Sequence, residues 1–294
     1  MRNLFINRLV KEASKNKRIV LLVGDLGYNV VEPFKNKFPN RFYNVGISEQ
    51  SMIGIASGLA LNGYHVFVYS IANFPTFRCA EQIRNDVDYH NLSVTIVSVG
   101  SGLGYGNLGY SHHGIQDYSL MRSFPNTIIC SPSDNNELNS SLDYLFKNPQ
   151  PSYLRLDKSL DLTFSNIRKS LNPGDWILQK KVTNSKKIII STGSTSADCE
   201  KFLNKKNNSK YSWYSIPIWG MKNKKKQIKK LFKYNEIITF ENHMQDGGFG
   251  SWINEILSLK KVNHRVNILN KFISSKVIGK VGSENYLNKL YGPK

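Results

Sequence analysis

The chain has 294 residues, 40% of them hydrophobic and 21% charged, enough for two domains with ordinary cores; this excludes a disordered or fibrous protein. Its formal net charge of +19 comes from 40 basic residues against 21 acids, but 30 of the basic residues are lysine and only 10 arginine. Bidentate recognition of phosphates and bases favours arginine, so the excess reads as a solvated lysine face, densest over residues 222–230. No apolar run has the length of a membrane span, and the early charges of the N-terminal ten residues do not suit a signal peptide. Cys79, Cys130 and Cys199 are scattered and odd in number, which suggests neither a disulfide framework nor a zinc cluster. A cytoplasmic protein is expected.

Leu4, Phe5, Leu9, Val10 and Ala13 recur at helical spacing, so the chain opens with an amphipathic helix. Residues 18–24 form a continuous apolar run ending in glycine, the pattern of a buried strand. A second strand over 42–45 leads into a helix over about 48–61, closed by Asn62-Gly63. A strand over 64–70 and a helix from Thr76 to about Tyr89 follow. The strand at 93–99 ends in a long glycine-rich loop; the strand at 127–130 leads to Asp134, an N-cap with Glu137 three residues on, and a helix to about Lys147. The strand at 152–156 completes the set. Such alternation predicts an α/β domain with a doubly wound, mostly parallel sheet over residues 1–160. A turn-rich linker is expected over 161–185, containing Asn172-Pro-Gly-Asp175. A smaller α/β domain over 186–294 would have strands at 187–193, 214–219, 236–241 and 265–269.

Ligands of open α/β sheets sit beyond the carboxyl ends of the strands. That rule gathers Gly24-Asp25, residues 46–49, residues 70–77 and residues 100–113 on one rim. Gly104-Tyr-Gly106-Asn-Leu-Gly109 has the spacing of a dinucleotide fingerprint, but Tyr110-Ser-His-His-Gly114 is not the start of a helix, so the loop reads as backbone close to some other ligand. His112 and His113 lack metal-pair spacing, with Asp117 the only near carboxylate, and rim position points to proton handling or substrate hydrogen bonding. Phe74 and Phe77 flank Pro75 as either core or ligand platform. Glu49 is the one acid in a small, apolar run: either a first-turn acid complementing the helix dipole or a carboxyl placed to share a proton with a ring nitrogen.

Together the stretches Asn44-Val-Gly-Ile-Ser-Glu-Gln50, Ala56-Ser-Gly-Leu-Ala60, Arg78-Cys-Ala-Glu-Gln-Ile-Arg84, Gly109-Tyr-Ser-His112, Met121-Arg-Ser-Phe-Pro-Asn126 and Ser131-Pro-Ser-Asp134 resemble, in order, the pyrimidine-binding domain of transketolase-like, thiamine diphosphate-dependent enzymes. Glu241-Asn-His-Met-Gln-Asp-Gly-Gly-Phe-Gly-Ser251 resembles a signature late in the family's C-terminal domain. The resemblance implies that Glu49 hydrogen-bonds the cofactor's aminopyrimidine, with Ile47 beside it, Phe74 or Phe77 stacking on the ring, and Asp25 facing the cofactor across a subunit boundary. It implies a substrate-side role for His112 and Arg78, and a phosphate-reading role for Lys158 with Arg155 nearby.

Three departures shape the expectation: one is that the phosphate-reading arginine expected after the last strand is represented only by Lys158, with Arg155 nearby. The family's Gly-Asp-Gly element, which holds the diphosphate and magnesium, is missing; Gly24-Asp25-Leu26-Gly27 is not that element. Leu108 stands where the family often has an acid. The resemblance therefore implies the beta-type subunit of a split transketolase, with no metal ligand of its own. An alpha-type partner brings the diphosphate site and magnesium, in an α2β2 heterotetramer acting on sugars or sugar phosphates. A deoxyxylulose phosphate synthase-like or 2-oxo-acid decarboxylating subunit is the enzyme alternative. A non-catalytic, basic nucleic-acid-binding or scaffold protein is the alternative from another class.

Overall fold

The computed structural model describes residues 1–158, 163, 165, 167, 171–259 and 266–294. Its strands form two sheets. The first contains β1 (Ile19–Val23), β2 (Phe42–Asn44), β3 (His65–Ile71), β4 (Val94–Val99), β5 (Ile128–Cys130) and β6 (Ser152–Leu156), all parallel, in the order β5-β6-β4-β3-β1-β2. The second contains β7 (Ile177–Lys180), β8 (Lys187–Ser191), β9 (Ser212–Ser215), β11 (Glu236–Phe240) and β12 (Asn267–Lys271) in the order β12-β11-β8-β9-β7, with β7 antiparallel; the short β10 (Ile218–Trp219) lies elsewhere. Every residue of β1, β4 and β6 is buried, as a sheet covered on both faces requires. The period of two sends Val20 and Leu22 into one core with Met52, Ile53 and Ala56 of the helix Glu49–Leu61. Ile19, Leu21 and Val23 go into the opposite core with Phe5, Ile6 and Leu9 of the helix Arg2–Lys15.

Three expectations need correction. The helix expected over 76–89 is broken into Phe74–Phe77, Ala80–Gln82 and a π-helical stretch Ile83–Asp88. Asp88 is buried there and takes the Asn126 amide N–H and the Thr127 hydroxyl, holding the wider turn. The strand expected over 214–219 is two strands of different sheets, divided at Pro217, which offers no N–H to a ladder. Its second part, β10, pairs antiparallel with β5, so the second domain supplies an edge strand to the first sheet. The linker expected over 161–185 contains β7, which pairs with β9; residues 161–162, 164, 166 and 168–170 of that stretch, and Arg265 of the last expected strand, lie outside the described residues.

Arg155, expected to help read a substrate phosphate, is instead buried where the two domains meet. Its Nε donates to Asp117 Oδ2 at 2.6 Å, Nη1 to Asn242 Oδ1 at 2.5 Å and Tyr118 Oη at 3.2 Å, and Nη2 to the carbonyls of Gly114 and Asn242. Burial alone would lower its pKa, but the Asp117 charge more than offsets this and keeps the guanidinium protonated. No donor remains for a substrate. A charge inside an apolar strand must find such partners, and the fork geometry suits arginine.

A second buried acid crosses the same boundary. Asp134 caps the helix Asn135–Lys147 through the Glu137 N–H at 2.8 Å. The Glu137 carboxylate takes the Ser133 N–H at 2.7 Å, the Gln179 amide of β7 at 3.2 Å and the Ser215 hydroxyl of β9. Burial pushes Glu137 up from 4.5 to about 7, against the lowering effect of these hydrogen bonds.

Two predictions test these joints. Arg155→Met strands Asp117 and should destabilise the chain by about 3–5 kcal/mol in urea unfolding; a loss under about 1 kcal/mol would contradict the pairing. Glu137 binds its proton more tightly folded than unfolded, so its contribution is full below pH 4.5, falls between 4.5 and about 7, and is constant above. Across that window the wild type should lose on the order of 3 kcal/mol more stability than Glu137→Gln, and parallel pH profiles would refute the assignment.

Candidate active site

The order of the first sheet reverses at β1, whose neighbours β2 and β3 lie on opposite sides, which opens a crevice beyond the strand ends. Gly46 (φ 72°) turns the chain from β2 into the helix Glu49–Leu61, and Glu49 occupies its first turn. The Glu49 side chain is only 4% exposed. Its Oε2 accepts from Arg78 Nη1 at 3.1 Å, while Oε1 takes no hydrogen bond among the described residues. Glu49 thus sits in the helix's first turn, where an acid complements the dipole, and is also buried.

Beside it, Gln50 Nε2 donates to the Arg78 carbonyl at 2.9 Å and ties the helix to the Phe74–Phe77 turn. The Arg78 guanidinium lies 4.1 Å from the Phe74 ring centroid, so one cation faces both the buried carboxylate and an aromatic face. The Cys79 thiol is pushed up to about 12 by burial and by the Glu49 charge, which removes it as a nucleophile at neutral pH.

The opposite wall is the loop after β4. Its base closes on itself through Gly102 and Gly114, whose N–H and C=O groups exchange bonds at 2.9 and 2.8 Å. His112 stands edge-on to Phe74 with ring centroids 5.1 Å apart, and Ser111 Oγ meets its Nδ1 at 2.9 Å. Burial, and then the Arg78 charge, lowers the His112 pKa and favours the neutral imidazole. Asn73, which the motif reading missed, donates to the carbonyls of Ser111 at 3.2 Å and His113 at 2.8 Å, bridging the two walls. Asn73, Phe74, Phe77, Arg78, Tyr110 and Ser111 line a groove of about 470 Å³.

The other expected residues sit farther along the rim. Ile47 is 79% exposed and Phe77 half exposed, at the lip. Asp25 is exposed with φ 52°, bonded to the Asn44 amide at 2.9 Å and the Tyr28 hydroxyl at 3.0 Å, which lower its pKa. Lys158 lies with its ammonium 4.6 Å from the Tyr105 ring centroid, in a second depression of about 370 Å³ that includes Leu108 and Glu284. The structure thus groups Glu49, Arg78, Phe74 and His112, places Phe77 and Ile47 at their mouth, and removes Arg155. Two signals for the missed residues were present: Asn73 is a turn former between a strand and a proline turn, and Asp117 is the acid that a buried Arg155 needs.

A carboxylate with a free oxygen under an aromatic and apolar lip fits the aminopyrimidine half of thiamine diphosphate. Among the described residues no group of three or more His, Cys, Asp or Glu is placed to hold a metal. Glu241, in the late signature, has a structural part instead. It takes the N–H groups of Phe249 and Gly250 at 2.6 and 2.8 Å at the start of the helix Phe249–Ser258, and burial pushes its carboxyl up to about 8. A side chain at Gly248 would collide with Oε2 of that carboxylate.

Comparisons with known proteins agree with this geometry. Residues 1–161 match the family model described as transketolase, pyrimidine binding domain. The chain is 30% identical over 259 residues to one subunit of the apulose-4-phosphate transketolase of Actinobacillus succinogenes, covering 87% of this chain and 83% of that one. It is 29% identical over 299 residues to a putative transketolase C-terminal section of Methanocaldococcus jannaschii, covering 99% and 92%. Among solved structures, a split gene transketolase captured as an inactive beta4 tetramer superposes with a TM-score of 0.84 at 25% identity, over 100% of this chain and 93% of that one. The chain belongs to the transketolase family and is similar, over most of their length, to its separately encoded C-terminal subunits.

Proposed function

We propose that this chain is the beta-type subunit of a split, thiamine diphosphate-dependent transketolase, carrying a two-carbon ketol unit from a ketose, or its phosphate, to an aldose. The observation that carries the reading is Glu49, a buried carboxylate with one oxygen unused, under Phe74 and Arg78 and across from His112. Thiamine diphosphate, when bound, supplies the electron sink for breaking and making the carbon–carbon bond.

The chain's own residues do the rest. The Glu49 oxygen that takes no hydrogen bond is the group that would bond to the pyrimidine side of the cofactor. Arg78 balances the carboxylate without reaching both oxygens. Phe74 and Phe77 offer faces for a planar ring. His112, neutral and with Nδ1 engaged by Ser111, has Nε2 for a substrate hydroxyl or carbonyl oxygen. Lys158, at the outer depression, is the cation for a substrate phosphate.

The diphosphate, the magnesium and the remaining half of each site are assigned in this reading to an alpha-type partner, in an α2β2 assembly. The helix that begins at Glu49 supports this. Its outward face carries Ser51, Gly54, Ile55 and Gly58, and a Cβ at either glycine would meet nothing within 4 Å. Glycine inside a helix costs about 1 kcal/mol against alanine, so two of them facing open space suit close approach by another chain. Ile47, Tyr28 and Phe77 are exposed as well. No helix among the described residues is long and apolar enough to cross a membrane.

Two outcomes are expected. Alone, the chain with thiamine diphosphate and magnesium should turn over no ketose, and co-expression with a second chain bearing the Gly-Asp-Gly element should restore transfer; turnover by the chain alone would sink the split reading. In the reconstituted enzyme Glu49→Gln should lower kcat by at least about 10²-fold with the thermal melt unchanged. Carbon dioxide released from pyruvate, in place of ketol transfer, would favour the decarboxylating alternative.

A further inference from the structure

The loop bearing His112 is shaped from outside its own domain. Its base takes polar contacts from the second domain: Asn242 Nδ2 donates to Ser101 Oγ at 3.3 Å, and the Met244 N–H to the Ile115 carbonyl at 2.9 Å. Its underside, Leu103 and Ile115, is buried in a small cluster with Ile273, Val277 and Leu287 of the C-terminal region. Its tip rests on the turn before the helix Glu284–Tyr291, where the Gly282 N–H donates to the Gly106 carbonyl at 3.2 Å. The contact is so close that a Cβ at Gly106 would stand 2.6 Å from the Gly282 carbonyl oxygen and 2.7 Å from Leu287 Cδ1. From Gly106 the chain runs through two single turns, Gly106–Leu108 and Tyr110–His112, with the His112 N–H bonded back to the Gly109 carbonyl at 3.0 Å. There is no slack between the seat and the imidazole.

We infer that the C-terminal helix is the mould of the active-site loop, with Leu287 and Gly106 as positioning residues that set the His112 ring against Phe74. Leu287 acts only through the loop, while Gly106 also lines the depression that holds Lys158, so the Leu287 variants carry the kinetic test. The inference rests on the substrate-side role proposed for His112. Its physical basis is that short turns are stiff and interior packing transmits displacement, so a methyl group forced into the seat moves the imidazole rather than being absorbed. Positioning at this scale is costly to lose, since a shift of about 1 Å in a catalytic group can lower the rate about 10²-fold.

The test uses two variants at the seat, Gly106→Ala and Leu287→Ala, with Leu287→Met as the conservative partner and Asn285→Ala as the control on the solvent side of the same helix. The first readout needs no cofactor: the ring resonance of His112 in the isolated chain, identified by its absence in His112→Gln. Gly106→Ala and Leu287→Ala should shift it, Leu287→Met should largely restore it, and Asn285→Ala should leave it in place. In the reconstituted enzyme the two seat variants should lose about 10-fold or more in kcat/KM for the ketose, with thiamine diphosphate affinity unchanged. Unmoved His112 resonances with kcat/KM intact in folded seat variants would overturn the inference. If Leu287→Ala or Gly106→Ala does not fold, the milder truncation Leu287→Val decides: a wild-type resonance and kcat/KM in that variant reject the inference, and shifts in both uphold it. A wild-type enzyme that transfers no ketol unit with its partner would instead reject the functional reading, while the resonance shifts stand or fall independently.

Discussion

Arg155 lies in a fully buried strand, and its charge can survive there only because Asp117 lies against it. The guanidinium has five N–H donors in a fixed plane, and the protein engages them from three directions. Asp117 and Tyr118 come from the helix after the active-site loop, the Gly114 carbonyl from the base of that loop, and Asn242 from the second domain. The same Asp117 accepts the Tyr153 hydroxyl at 2.5 Å, and Tyr118 lies against both Arg155 and the His243 ring. One desolvated ion pair thus joins the sheet, the loop and the second domain in a single orientation. Such a pair contributes little net stability compared with an apolar replacement, but once buried it tolerates few geometries.

The candidate site inherits its rigidity from that joint. The loop that presents His112 is held at its base by Arg155 and Asn242, underneath by Leu103 and Ile115, and at its tip by Gly282. The facing wall is held separately, by Gln50 bonded to the Arg78 carbonyl and by Asn73 spanning to the loop backbone. Between these two supported walls lies the least supported group, the free oxygen of Glu49. Rigid surroundings with one uncommitted carboxylate oxygen fix the orientation of a ligand contact before any ligand arrives. The second domain, which carries none of the residues expected to touch the cofactor, still determines where one of them stands.

Much of this was legible from residue order. The continuous apolar run at 18–24 reads as a strand covered on both faces, and the rim follows from the rule that crevices open beyond parallel strands. Glu49, Phe74 and His112 were therefore assignable to one region before their contacts were known. The helix over 76–89 was misread because a π-helical turn keeps the apolar spacing of an α-helix while shifting its register, and what holds it is Asp88 bonding to Asn126 and Thr127. Arg155 was misread because its type suits a phosphate equally well. Its counter-ion Asp117 is 38 residues away, and another acceptor, Asn242, is 87 residues away.

The sequence by itself determined the alternation of strands and helices, the edge at which a ligand can bind and the residue types available there, because these depend on local periodicity and on the chemistry of single side chains. It also shows that these 294 residues contain no Gly-Asp-Gly string. Only the tertiary structure decided that Glu49 keeps one oxygen free, that Arg155 is consumed at the domain joint, that Ile218–Trp219 belongs to the first sheet and that Leu287 supports the loop of His112. Each of these depends on which distant residues compete for the same group. That competition is settled by packing in three dimensions, where residues more than a hundred positions apart become neighbours.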